Sequence, residues 1–119
     1  MANHKTLKAW VEAKSVSRGV LRASRHHWKP WAQAAFAQLQ RASLSVQLNI
    51  AEGWTFGRSA TRKRHLEIAY GSAMETADLI ELMAEEKILE GKVAGYLKIH
   101  SANSIRLLVG LLKQVRPVS

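Results

Sequence analysis

Residues 31–52, WAQAAFAQLQRASLSVQLNIAE, decide the fold. Within them Phe36, Leu39, Ser43, Val46 and Ile50 recur at intervals of three and four, the spacing that lines up one face of an α-helix. A strand would alternate at every second residue, and no sustained alternation occurs anywhere in the chain. A second stripe lies beside the first: Ala37, Arg41, Leu44, Leu48 and Ala51. Burial against one core needs only one such face. Leu44, Leu48 and Ala51, with Trp54 beyond them, are therefore the candidate oligomer interface. The competing reading is a single wide core stripe that Leu44 and Leu48 flank.

Working outward, three more stretches carry helical periodicity. A first helix is expected over residues 3–24, with Asn3 as its N-cap and Leu7, Trp10, Ala13, Val16 or Ser17, Val20 and Leu21 along one side. The segment from Arg25 to Pro30 breaks the pattern, and Pro30 suits the first turn of the second helix, 31–52. Gly53 is expected to end that helix, with Trp54 to Ala60 as a loop. Ser59 or Thr61 then caps a third helix over 61–89, whose core stripe is Leu66, Ala69, Ala73, Ala77, Ile80 and Ala84. Glu90-Gly91 closes it. A fourth helix runs over 92–115 through Val93, Leu97, His100, Ser104, Leu107, Leu108, Leu111 and Val115, and Pro117 stops it. Short links between helices of similar length predict one all-α domain over 1–119, an antiparallel up-down-up-down four-helix bundle.

Bulk composition agrees. The chain has 119 residues and 47% apolar content, enough for one core and too apolar for disorder. No apolar run approaches the roughly 18–20 residues that span a bilayer, and Met1 to Lys5 enters an amphipathic segment with no signal-peptide stretch. Without cysteine there is neither a disulfide framework nor a thiolate metal site. A cytoplasmic protein without a membrane partner is expected.

Charge is more telling. Eighteen Lys and Arg oppose nine Asp and Glu, a net +9. Residues 1–64 hold twelve basic and two acidic side chains, and residues 65–119 hold six and seven. Polarised positive charge attracts polyanions, and on nucleic acid it releases condensed counterions. Lys14, Arg18, Arg22 and Arg25 recur every three or four residues as a ridge on the first helix, and Arg58, Arg62, Lys63 and Arg64 form a second cluster. These eight are the candidate nucleic-acid contacts, RNA or DNA, with Trp54 or Phe56 available to stack on a base. Two other readings stay open: a solvated face, or pairing of the ridge with the acidic third-helix face (Glu75, Asp78, Glu81, Glu85, Glu86) of a neighbouring subunit.

Catalytic chemistry finds no constellation. A di-iron bundle needs Glu-x-x-His pairs, and none occurs. His26-His27 has no carboxylate cluster nearby, and His65 and His100 stand alone in the sequence. There is no Gly-rich phosphate loop and no nucleophile elbow. No metal, no cofactor and no enzyme activity are expected.

Gln38 to Gly53, QLQRASLSVQLNIAEG, and Ile68 to Glu75, IAYGSAME, together resemble the signature of a bacterial four-helix-bundle family, the proteins encoded in intervening sequences of ribosomal RNA genes. The matching residues are Gln38, Arg41, Ala42, Ser45, Val46, Asn49, Ile50, Ala51, Glu52 and Gly53, then Ala69, Gly71, Ser72 and Glu75; Leu7, Trp10 and Ala13 also fit. Gln40 departs from a usual arginine. Gln47 replaces a usual proline, which predicts a less kinked second helix. HHWKPW departs from a Phe-Pro pattern. The resemblance implies a left-handed bundle assembled as a ring of five. It is similar, too, to the accessory variability determinants of diversity-generating retroelements, basic pentamers that bind nucleic acid and a reverse transcriptase. An adaptor ring that recruits a protein partner such as a polymerase is the alternative function. In the motif, Ser45, Asn49 and Glu52 share a helix face. They hold either a ligand or a metal or, as structural residues, a network to Gly71, Ser72 and Glu75, with Arg41 as the expected partner of a carboxylate buried at that interface.

Overall fold

In the computed structural model, which describes residues 3–57 and 59–115, four helices account for nearly all of the chain: α1 Lys8–His26, α2 Gln33–Thr55, α3 Ala60–Glu85 and α4 Gly91–Val115. Each helix packs on its two neighbours in the ring α1–α2–α3–α4, and among the described residues the backbones of the diagonal pairs α1–α3 and α2–α4 stay farther apart. Short links and this square of contacts make the four-helix bundle predicted from periodicity. Arg58 and Pro117, the one a candidate contact and the other a helix stop, lie outside the described residues.

Helix ends follow local chemistry more closely than periodicity foresees. Asn3 caps a separate 3₁₀ turn, His4–Thr6, accepting from the Lys5 N–H at 2.9 Å, and Leu7 then leaves the helical region before α1 begins. Pro30 opens a second 3₁₀ turn, Pro30–Ala32, which leads into α2. The expected break at Gly53 does not occur, because α2 continues to Thr55 and the turn is made by Gly57, with φ +65. Ser59 caps α3, accepting from the Arg62 N–H at 3.2 Å.

At its far end α3 stops at Glu85, four residues short of the expected Leu89. Lys87 takes φ 59, and its N–H reaches the Ala84 carbonyl at 3.1 Å while the Ile88 N–H reaches that of Met83 at 2.8 Å. These are the two bonds of a Schellman close, with Ile88 and Met83 both buried as its apolar contact. Burial of that contact holds a lysine in a backbone region that glycine would enter more easily. Gly91, with φ +60, opens α4 instead of closing α3.

The core divides in two. Val20, Phe36, Leu39, Ile80, Met83, Leu89 and Leu97 fill the half beneath the α1–α2 and α3–α4 links. Trp10, Val46, Ile50, Leu66, Ala73 and Leu108 fill the other. Ser17, Ser43, Thr76, Ser101 and Ser104, all buried, belong to neither apolar cluster. Ser17 donates to the Ser43 carbonyl at 3.3 Å, Thr76 to Ser72 at 2.7 Å and Ser104 to Ser101 at 2.9 Å. Among the described residues the Ser101 hydroxyl has no partner. An unmade buried hydrogen bond costs about 1–3 kcal/mol, so Ser101→Ala is expected to stabilise the bundle by about 1 kcal/mol. Thermal unfolding should show a midpoint about 4 °C higher.

Candidate nucleic-acid interface

The first-helix ridge forms as expected. Lys14, Arg18, Arg22 and Arg25 are all exposed along α1, and the Lys14 ammonium sits 5.2 Å from the centre of the Trp10 ring. The neighbouring helix α4 extends the ridge into a face. Lys92, Ile99, Arg106 and Lys113 are spaced seven residues apart, two helical turns, and all are exposed. Between α1 and α4 run grooves lined by these cations. One, of about 250 Å³, is bounded by Gly19, Arg22, Lys92, Val93 and Tyr96. Another, of about 270 Å³ and nearer the start of α1, includes Lys8, Arg106, Leu107 and Gly110 in its lining.

Acid is sparse on this face. α1 and α4 together carry nine Lys and Arg and one acid, Glu12. Glu12 lies in the α1–α4 groove that it shares with Lys8 and Arg106, and there His100 Nδ1 and Asn103 Nδ2 (3.1 Å) both hydrogen-bond to its half-buried carboxylate. By contrast Glu67, Glu75, Asp78, Glu81 and Glu85 all lie on the exposed side of α3. The positive field is therefore concentrated on one side of the bundle, where it adds constructively.

The second cluster has a different fate. Arg62 Nε donates to the Gly53 carbonyl at 3.3 Å, and its Nη2 donates to the Trp54 carbonyl at 3.1 Å. Its guanidinium lies 3.8 Å from the centre of the Trp54 ring. A cation at the last carbonyls of a helix satisfies orphan acceptors and opposes the negative end of the helix dipole. Arg62 thus fastens the end of α2 to the start of α3. Arg62→Ala is expected to cost about 2 kcal/mol from the lost charged hydrogen bonds and cation–π contact, measured by chemical denaturation. Lys63 and Arg64 keep no such tie, and Arg64 is exposed.

Trp54 is accordingly covered, and it packs with Ala51 against the core. Leu44 and Leu48 stay outside, 37% and 52% exposed. Leu48 is two residues from both Val46 and Ile50, about 200° around the helix from the core, so it points away from the bundle. Phe56 remains 52% exposed, its ring parallel to that of His65 at 5.8 Å.

The shared motif works as a brace between α2 and α3. Ser45 and Ser72 join hydroxyl to hydroxyl at 2.8 Å, Asn49 Nδ2 donates to the Ser45 carbonyl at 2.9 Å, and Asn49 Oδ1 meets His65 Nδ1 at 2.9 Å. Gln38 Nε2 hydrogen-bonds to Glu75. Among the described residues Arg41 makes no direct ion pair with a motif carboxylate; its Nη2 donates to Gln38 Oε1 at 2.7 Å, and Gln38 in turn bonds to Glu75. Glu52 is exposed and has His65 as its near neighbour at 3.7 Å. His65 and His100, solitary in the sequence, are thus both tied into polar contacts. Gly53 is buried where α2 meets α3. A Cβ there would lie 3.0 Å from that of His65 and 3.5 Å from the Arg62 carbonyl. Glycine at this position permits the close approach and leaves the helix unbroken. Gly71 is exposed, a Cβ added to it would meet nothing within 4 Å, and packing within the bundle gives no reason for it.

The family described as 23S rRNA-intervening sequence protein matches residues 5–110, the stretch that holds this brace. The chain belongs to this family. Among curated proteins none matches it. The match to the 23S rRNA-intervening sequence proteins reaches into all four helices and holds the brace and the basic face except Lys113. Among the described residues no helix is long and apolar enough to cross a membrane, and no three His, Asp or Glu side chains gather as a metal site.

Proposed function

We propose that this chain is a homo-oligomeric, non-catalytic protein of the cytoplasm that binds nucleic acid through its phosphate backbone. The single observation behind this reading is the charge of α1 and α4, nine cations (one of them, Lys98, turned to the α3–α4 groove) against one acid, Glu12, whose half-buried carboxylate is held by His100 and Asn103. A face of that kind neutralises phosphates without reading base edges, so binding is expected to be insensitive to sequence. Leu44 and Leu48, exposed on the outer side of α2, supply the apolar contact for self-assembly, and the resemblance to ring-forming relatives favours five subunits. A ring repeats the basic face around its circumference and multiplies the number of phosphates held at once.

Fluorescence anisotropy of labelled RNA and DNA against increasing salt tests the reading. Micromolar or tighter binding is expected at low salt, with log affinity falling by roughly 0.9 per log salt for each duplex phosphate contacted. Absence of binding at low salt, or affinity indifferent to salt, would remove it.

A further inference from the structure

The link between α1 and α2 holds two large side chains that the bundle covers only in part. Trp28 is 48% exposed and Trp31 67%. The other two tryptophans are spoken for, Trp10 within the core and Trp54 beneath Arg62. Each leaves about half or more of its surface to solvent. Pro30 fixes the turn between them, and Ala32, buried at 2% exposure, anchors its far side.

Along the chain their neighbours are cationic, while the α3–α4 link at the same end of the bundle carries exposed Glu86 and Glu90. Arg25, His26 and Lys29 are exposed beside them, and no Asp or Glu occurs from Ala13 to Ala51. One turn before Arg25 stands Arg22, which lines the groove shared with Lys92 and Tyr96. The tryptophans therefore continue the basic face around one end of the bundle. Flat aromatic faces interleaved with cations match one kind of partner well, a chain that alternates phosphates with unpaired bases. A duplex offers the phosphates but keeps its bases stacked inside.

We infer that Trp28 and Trp31 form a stacking platform for unpaired nucleobases, so that the protein prefers single-stranded to duplex nucleic acid. This rests on the nucleic-acid reading above and assigns it a strand preference.

The test compares an oligothymidylate with duplex DNA of equal length at low salt, using the full chain. In the wild type, binding of the oligothymidylate quenches tryptophan emission. Stacking is lost when each ring is removed, at roughly fivefold in affinity per tryptophan, so Trp28→Ala with Trp31→Ala should weaken oligothymidylate binding about 25-fold. Duplex affinity should change by no more than about twofold, because the phosphate contacts remain. The pair Trp28→Phe and Trp31→Phe should recover part of the loss, which separates stacking from any disturbance of the turn. Equal losses for both ligands, or no loss for either, would overturn the platform while leaving the backbone-binding reading intact. A smaller oligomer in the alanine variant with unchanged strand preference would overturn it too, assigning the rings to self-contact. A wild type that binds neither ligand would defeat both proposals together.

Discussion

Reversing Arg18, Arg22 and Arg106 together to glutamate is expected to weaken nucleic-acid binding about a thousandfold at moderate salt. Each lost duplex phosphate contact removes about 0.9 from the slope of log affinity against log salt, so three lower it by about 2.7 and cost on the order of 10³ in affinity near 0.1 M. The new carboxylates add repulsion in the same direction. All three arginines are exposed, and none makes a side-chain hydrogen bond or ion pair among the described residues, so stability should stay within about 0.5 kcal/mol of the wild type. Anisotropy reads the affinity, and circular dichroism with thermal unfolding reads the fold. Light scattering on the same variant addresses the rival role of the ridge. If these arginines pair with the acidic side of α3 in a neighbouring subunit, the mass falls; if they hold phosphate, it does not.

Leu44→Asp with Leu48→Asp is expected to dissociate the assembly. Burial of a leucine is worth about 1.5–3 kcal/mol, so two removed from one contact weaken it at least about 100-fold, before the cost of burying two carboxylates. Neither residue is in the core, and the monomer should retain its helix content. Sedimentation or light scattering across a dilution series checks this, and an unchanged mass would refute the interface. Loss of assembly should also reduce nucleic-acid affinity through lost multivalency, even though no cation has been altered.

Periodicity made the four helices and most of the core legible. Phe36, Leu39, Val46 and Ile50 on α2, and Leu66, Ala69, Ala73 and Ile80 on α3, are buried as their spacing required. Helix ends were less legible because they depend on tertiary neighbours. Gly53 reads as a stop, yet in the fold it admits the His65 turn of α3, and α2 continues past it. Lys87 carries no signal for a left-handed backbone; the apolar pair Ile88 and Met83 imposes it.

Half of the basic face could be read directly. The α1 ridge has unmistakable spacing, whereas Lys92, Arg106 and Lys113 are far apart in the chain and stand out only by their seven-residue register and the lack of acid in α4. Arg62 shows the opposite failure. Composition groups it with Lys63 and Arg64, but the carbonyls of Gly53 and Trp54 come within its reach only when α2 and α3 fold together.

The most direct measurement is a lysine acetylation footprint with and without bound nucleic acid. Protection is expected at Lys8 and Lys92, which line the α1–α4 grooves, and at Lys14 and Lys113, exposed on the same two helices, and not at Lys98, which lines the α3–α4 groove beside Glu81 and Glu85. Uniform protection of all five, or protection confined to Lys98, would contradict a binding face built by α1 and α4.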